Sequence, residues 1–164
     1  MINFYKNLGF HIPVSGGIEK IFKIAEELNI NNMQIFTSSN IRWSFQEKIN
    51  ILTLNKFNEN RKKFGDSKIF SHGCYLTNLA SDNLDLRKKS EKSLIAEIKR
   101  CEILNIQGIV FHPGSNTDKR KGMANISQSL RIINEETGLK VKLFLENSAA
   151  QGNTIPSTVE ELAE

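Results

Sequence analysis

The stretch "GIVFHPGS", residues 108–115, decides the fold, because an apolar run leads directly to a histidine and then to a Pro-Gly pair. A short apolar run is typical of a buried strand, and the Pro-Gly pair is typical of a sharp turn. His112 is therefore predicted at the carboxyl end of a strand. Pro113 restricts the backbone of His112, so ordering this side chain against a ligand costs less entropy.

A unit of strand, turn and helix is predicted five times along the chain. The apolar runs are residues 8–11, 33–36, 68–70, 108–111 and 141–145. Apolar residues at helical spacing mark segments 18–28, 94–101 and 126–133, and Gly138 is predicted to cap the last of these helices. A further helix is predicted around residues 54–64. Strands that alternate with helices favour an α/β fold with a parallel sheet.

The composition fits one globular domain, since 39% of the 164 residues are hydrophobic and 24% are charged. No apolar run approaches the roughly 20 residues of a membrane span, and the first residues lack a secretory signal pattern. A cytoplasmic protein with no membrane partner is therefore expected. Cys74 and Cys101 form no CxxC motif. The net charge of +4 and three basic clusters, at 61–63, 87–89 and 119–121, permit nucleic-acid binding but fit solvated helix faces better.

Polar side chains stand at the carboxyl ends of the predicted strands, where parallel sheets bind their ligands. His72, His112 and Glu146 follow three successive strands, about one strand-helix unit apart. Imidazole nitrogen and carboxylate oxygen are zinc ligands, and catalytic zinc sites commonly use three protein ligands. The three residues therefore predict a metal site with hydrolysis as available chemistry. A structural role is the alternative for any single histidine, but all three histidines of the chain follow strands.

Two residues after His72 are candidates for contact with nucleic acid. Tyr75 offers a ring face and Asn78 offers an amide, both in the segment "SHGCYLTNLAS". Packing of Tyr75 into the protein interior fits the same spacing equally well.

Several strings of the sequence resemble the endonuclease IV family of apurinic/apyrimidinic DNA-repair endonucleases. They are "GFHIPVSGG", "HGCYLTNLA", "RCEILNI", "FHPGS" and "LENSAAQG", in the order of the family and close to its spacing. The resemblance implies a (β/α)8 TIM barrel. It also implies hydrolysis of the phosphodiester 5′ to an abasic site in double-stranded DNA, leaving a 3′-hydroxyl and a 5′-deoxyribose phosphate.

The resemblance also implies roles for individual residues. His72, His112 and Glu146 correspond to ligands of one zinc ion in a cluster of three, and Glu146 corresponds to a catalytic carboxylate that bridges to a second ion. Tyr75 and Asn78 correspond to positions beside the DNA. In "FTSSNIRW" the family often has an arginine that inserts into DNA; Ile41 takes that position here and Arg42 follows it, so Arg42 is the candidate DNA contact.

The chain departs from the family in length. The family's later Asp, His and Glu ligands, including a His-x-Asp-x-His motif, are absent, so ligands for one complete zinc site are present. Five βα units over residues 1–164 predict a single, incomplete TIM-barrel domain from a truncated or split gene. Little or no activity of the isolated chain is expected, and a complementary C-terminal half-barrel chain is a candidate partner. Two alternatives remain open: a metal-dependent sugar isomerase or epimerase, and a non-catalytic remnant.

Overall fold

Strands and helices alternate along the chain, as the apolar spacing predicts. The structure is a computed structural model, and it describes residues 8–148 and 152–163. In chain order the elements are β1 (Gly9–His11), α1 (Ile21–Glu27), β2 (Asn32–Ile35), α2 (Ile51–Phe64), β3 (Lys68–His72), α3 (Leu84–Ile103), β4 (Gly108–Phe111), β5 (Gly114–Ser115), α4 (Lys119–Thr137), β6 (Lys142–Leu145), β7 (Thr154–Ile155) and α5 (Val159–Ala163).

Five of the strands form one parallel sheet in the order β1-β2-β3-β4-β6. Within this sheet each strand pairs with the sheet's next strand along the chain, and a helix lies in each connection. All five predicted strands are present, with ends that differ from the prediction by at most two residues. The helix predicted around 54–64 is confirmed and begins earlier, because Asn50 accepts hydrogen bonds from the amides of Leu52 and Thr53 and so caps its first turn.

The core lies between the sheet and the helices. Ile69 and Ile109 point from neighbouring strands toward the helices and are fully buried, together with Phe57 of α2 and Ile98 of α3. Gly138 ends α4 in the left-handed conformation at φ 64°, as predicted for a cap. Cys74 and Cys101 are free and buried. None of the helices in the two described ranges is long and apolar enough to cross a membrane.

The opposite face of the sheet, which we call the inner face, is much more open. Because side chains alternate along a strand, Phe70 and Val110 lie on this face, next to the buried Ile69 and Ile109. Phe144 packs edge-on against Phe70 with ring centroids 5.7 Å apart. These aromatic and aliphatic side chains line a cavity of about 470 Å³ along the inner face.

A short two-stranded ladder was not predicted from the sequence. Strand β5 follows the turn after His112 and pairs antiparallel with β7. It fixes the segment after β4 against a stretch of chain about forty residues away, for example through Gly114 opposite Ile155.

Candidate metal centre

The three predicted ligand residues meet at the carboxyl end of the sheet. His72 ends β3, His112 directly follows β4 and Glu146 directly follows β6. The parallel register places Phe111 opposite Leu145, so His112 and Glu146 continue side by side from paired strands. Because of the two-residue period, they project from the same inner face as Val110 and Phe144.

The ligand atoms of these residues point toward one another. The Nε2 atom of His72 lies 3.2 Å from the Glu146 carboxylate, and the Nε2 atom of His112 lies 3.6 Å from the same oxygen. All three potential ligand atoms lie within 4.8 Å of one another. His72 is buried, whereas His112 and Glu146 are partly exposed, so the group has a buried side and a side open to solvent.

Main-chain oxygens fix the orientation of both imidazole rings. The carbonyl of Gly73 lies 2.8 Å from Nδ1 of His72, and the carbonyl of Glu146 lies 3.3 Å from Nδ1 of His112. A carbonyl only accepts, so each Nδ1 donates, and in the neutral ring the lone pair then lies on Nε2, the atom that faces the Glu146 carboxylate. Hydrogen bonds of this kind orient metal-binding histidines. The donor set therefore fits a zinc ion without rearrangement of the tautomers.

Aromatic rings surround His72. Phe36, Tyr75 and His112 have ring centroids 5.5, 5.3 and 5.6 Å from that of His72. Tyr75 is 56% exposed, so it lies at the rim of the site and not in the core. His11 is a near neighbour, but its Nδ1 atom bonds with the side chain of Gln34 at 3.0 Å and it lies outside the three-residue group.

The amide of Asn78 is bonded within the protein. Its side-chain nitrogen donates to the carbonyl of Ser115 at 3.1 Å, and its side-chain oxygen accepts from the amide of Ser115 at 3.1 Å. These bonds tie the segment after His72 to the turn after His112. The structure thus assigns Asn78 a local clamping role, and its contact with DNA stays a prediction.

Arg42 lies in the loop between β2 and α2, which we call the 37–50 loop. The Arg42 side chain is exposed, and the main chain of the loop is held to the segment after His72 at Asn40 and at the carbonyl of Arg42 itself. The thiol of Cys74 donates to the carbonyl of Asn40 at 3.3 Å, and the amide of Tyr75 donates to the same carbonyl at 2.9 Å. The loop that carries Arg42 is therefore attached to the metal centre, as a DNA contact there would require.

A buried polar network behind the site was not predicted from the sequence. Glu97 of α3 accepts hydrogen bonds from Ser71 at 2.5 Å and from Thr37 at 3.2 Å. Arg100 donates to Thr37 at 3.1 Å and also binds the carbonyl of Gln46. Burial raises the pKa of Glu97, although these hydrogen bonds and the charge of Arg100 oppose the shift. The network joins the residue before His72 to the 37–50 loop.

The only available sequence signal for this network is a pair of charges three residues apart on α3. Glu97 and Arg100 lie on the same face as the apolar stripe of Leu94, Ile98 and Cys101. Charged residues at core-facing positions are almost never fully buried unless they are paired.

Comparisons with known proteins agree with this fold. The sequence model of the xylose isomerase-like TIM barrel family matches residues 22–164. The probable endonuclease 4 of Thermoplasma volcanium is 33% identical over 157 residues, 96% of this chain and 55% of that protein. Apurinic-apyrimidinic endonuclease 1 of Plasmodium berghei is 37% identical over 162 residues, 94% of this chain and 31% of that protein.

Solved structures give the same result. The crystal structure of endonuclease IV from Thermus thermophilus matches 94% of this chain and 56% of that chain with a TM-score of 0.78 and 27% identity. A D-tagatose 3-epimerase-like protein matches with a TM-score of 0.72 and 20% identity, which shows the fold alone. The predicted resemblance to endonuclease IV and the predicted partial barrel are both confirmed. The chain spans about half the length of the first of these curated relatives.

Proposed function

The chain belongs to the xylose isomerase-like TIM barrel family, and we propose that it carries the zinc site of an endonuclease that cuts double-stranded DNA 5′ to an abasic site. One observation carries the proposal: the ligand atoms of His72, His112 and Glu146 lie within 4.8 Å of one another at the carboxyl end of the sheet. The similarity to proteins named endonuclease 4 and apurinic-apyrimidinic endonuclease 1 supports DNA as the substrate.

The proposed ligands match the chemistry of zinc. Two imidazole nitrogens with free lone pairs and one carboxylate are the donors of a common catalytic zinc set. Bound zinc would lower the pKa of a coordinated water and polarise a phosphoryl oxygen. His72 and His112 would hold the ion, with their rings fixed by the carbonyls of Gly73 and Glu146. Glu146 would be the catalytic carboxylate, on the solvent-accessible side of the group.

Three further residues are proposed to contact the DNA strand. Tyr75 presents an exposed ring beside the metal centre, suited to stacking against a sugar or base. Arg42 offers a cation on the attached loop. Asn78 is proposed to lie beside the DNA in the segment after His72, where its side-chain amide holds the turn by its bond to Ser115. A cytoplasmic location, which the sequence analysis predicts, is compatible with a DNA substrate.

We further propose that residues 1–164 form one incomplete barrel domain that binds one zinc ion firmly and needs a complementary half-barrel for efficient incision. Within residues 8–148 and 152–163, His72, His112 and Glu146 form the only group of metal-ligand type. The open inner face supports the partner, because Phe144 is 40% exposed there and Phe70 is partly exposed. A complementary chain that covered this face would bury both rings.

A sugar isomerase or epimerase is the alternative function of a site of this kind. The fold supports it, through the similarity to the D-tagatose 3-epimerase-like protein. The strings "FHPGS" and "LENSAAQG" favour the nuclease. Turnover of a ketose or a sugar phosphate, with no incision of abasic DNA, would establish the epimerase instead.

Metal counting and an incision assay test the proposal. The purified chain, loaded with zinc and dialysed, is expected to retain about one ion, and His112→Ala should lower the zinc affinity about 100-fold or more, since loss of a supporting residue alone costs about 10–100-fold. His11→Ala is the matched control, because it removes an imidazole that packs beside His72 on the same rim but lies outside the three-residue ligand group. A His112→Ala chain that holds zinc as tightly as the parent contradicts the ligand assignment.

The same chains are assayed on a duplex with one abasic site. Weak incision that is lost in His112→Ala and kept in His11→Ala would support the proposed chemistry. Robust incision by the isolated chain with three bound zinc ions would contradict the proposed need for a partner.

A further inference from the structure

A second cavity, which we call the arginine pocket, lies beside the candidate metal centre. Its volume is about 350 Å³, at the lower end of the range of small-molecule sites, about 300–1,000 Å³. It is formed by the 37–50 loop together with residues after β1, the first turn of α2 and the side of α3. Its lining residues are Val14, Ile18, Phe36, Thr37, Ser38, Ser44, Gln46, Lys48, Ile49, Thr53 and Arg100.

Arg100 is the most buried charge in this pocket, with 4% of its surface exposed. Its guanidinium donates to the hydroxyls of Thr37 and Ser38, each at 3.1 Å, and to the carbonyl of Gln46. A guanidinium has five N–H donors, so these three bonds leave two of them for another acceptor. The buried fork is thus held rigidly while part of its donor capacity remains available.

The charge of Arg100 is only partly balanced by the protein. Burial lowers the pKa of Arg100, and Glu97 is the carboxylate that opposes this shift. Glu97 lies beyond ion-pair distance and is itself bonded to Ser71 and Thr37. Among the described residues that line the pocket, none is acidic, and Lys48 adds a second cation. An anion in the pocket would therefore offset an unfavourable buried charge.

The remaining polar groups of the pocket suit a tetrahedral oxyanion. Ser44 and Thr53 add hydroxyls to the wall on the loop side and the helix side. A planar guanidinium fork, an ammonium group and hydroxyls are the donors with which proteins bind phosphate. The apolar side chains of Val14, Ile18 and Ile49 complete the wall.

We propose that the arginine pocket binds a phosphate group, carried by a free phosphate ion or by a phosphate ester. The site is distinct from the metal centre, although Phe36 forms part of both: it lines the pocket and packs 5.5 Å from the ring of His72. A phosphate bound there would rest on the same loop that carries Arg42. It would therefore hold that loop against α3.

Titration of the whole purified chain with inorganic phosphate in the presence of a chelator tests the site. Calorimetry is expected to show one phosphate per chain. Lys48→Glu should weaken binding at least about tenfold, because it replaces a cation with an anion at the pocket. Lys56→Glu is the matched control, since it makes the same charge change on α2 outside the pocket, and it should alter the affinity less than about twofold.

Arg100→Lys is the second variant, because a lysine keeps the charge but loses the fork. It should also weaken phosphate binding about tenfold or more, with an unchanged circular dichroism spectrum. Absence of phosphate binding by the parent chain, or equal affinity of Lys48→Glu and the parent, would overturn the proposal.

Two further experiments test whether phosphate binds at the metal centre instead of the arginine pocket, and whether the bound phosphate belongs to DNA. A His112→Ala chain should bind phosphate as the parent does, whereas loss of phosphate binding in this variant would transfer the site to the metal centre and refute the pocket. Abasic duplex then replaces inorganic phosphate. An equal loss of duplex affinity in Lys48→Glu identifies a DNA phosphodiester as the occupant, and unchanged duplex affinity identifies a free phosphate or phosphomonoester. Neither result depends on zinc or on incision.

Discussion

Two substitutions of the buried Glu97 can distinguish the effect of its charge on stability from the effect of its hydrogen bonds. Glu97 is 2% exposed and accepts from the hydroxyls of Ser71 and Thr37. In Glu97→Leu both hydroxyls lose their acceptor, and that of Ser71 is fully buried. An unsatisfied buried group costs about 1–3 kcal/mol, so Glu97→Leu should lose about 1–3 kcal/mol of unfolding free energy through Ser71. In Glu97→Gln the side-chain oxygen still accepts, so this loss should be absent.

The two variants should also differ from the parent chain in their pH dependence. Burial raises the pKa of Glu97 in the folded chain above the ordinary value of 4.5. A raised pKa contributes stability that is fully present below about pH 4.5 and is lost as the pH rises through the folded value. Glu97→Gln lacks this contribution, so its stability relative to the parent should increase from about pH 5 to about pH 8, by about 1.4 kcal/mol for each unit of the shift.

Urea unfolding followed by far-ultraviolet circular dichroism at both pH values, with a chelator present, measures these differences. Ser71→Ala is a useful companion, because it removes one of the two donors and leaves the carboxyl in place. If Glu97→Gln is destabilised as strongly as Glu97→Leu, the charge of Glu97 is required and the reasoning fails. A pH-independent difference between Glu97→Gln and the parent would refute the raised pKa.

Further predictions concern turns and caps of the fold and the proposed zinc ligands. Gly114 has φ 133°, and a Cβ atom there would overlap the side chain of Asn78, so Gly114→Ala should lower the unfolding free energy measured in urea by more than about 1 kcal/mol. Ser90→Ala removes the acceptor of the Asn78 main-chain amide, a bond of 2.9 Å, and should cost about 1–3 kcal/mol in the same assay. Asp118 caps α4, and Asp118→Ala should cost about 1 kcal/mol. Zinc at about 100 times its dissociation constant should raise the unfolding free energy of the parent by about 2.7 kcal/mol, and the increase should be much smaller in His72→Ala; equal increases would contradict the ligand assignment.

The strands and the meeting of the three ligand residues follow from local patterns in the sequence. Apolar runs of three to five residues separated by helical spacing leave few alternatives to a parallel sheet, and a parallel sheet brings the carboxyl ends of its strands together. His72, His112 and Glu146 each stand directly at such an end. Their proximity is thus a consequence of the strand pattern.

The contacts behind and around the site depend on pairs that are distant in sequence. Arg100 reaches Thr37 across 63 residues, and the bond of Asn78 with Ser115 spans 37. A polar residue on a helix or in a turn gives no sign of which distant group it binds. For this reason the sequence predicts that Asn78 faces nucleic acid, whereas its amide binds Ser115. The pairing of β5 with β7 was missed on the same grounds, since each strand has only two residues.

The open inner face affects how the folding of this chain can be followed in solution. Phe144 is 40% exposed on it in the native state and Phe70 is partly exposed, beside a cavity of about 470 Å³. Environment-sensitive dyes such as anilinonaphthalene sulfonate fluoresce when they bind apolar surface, which in most proteins becomes accessible only in partly folded states. Here the native sheet offers such a surface, so dye fluorescence should be high before heating and should fall as the strands separate. A decrease in dye fluorescence on unfolding would therefore show that the dye binds the native inner face and not a partly folded state.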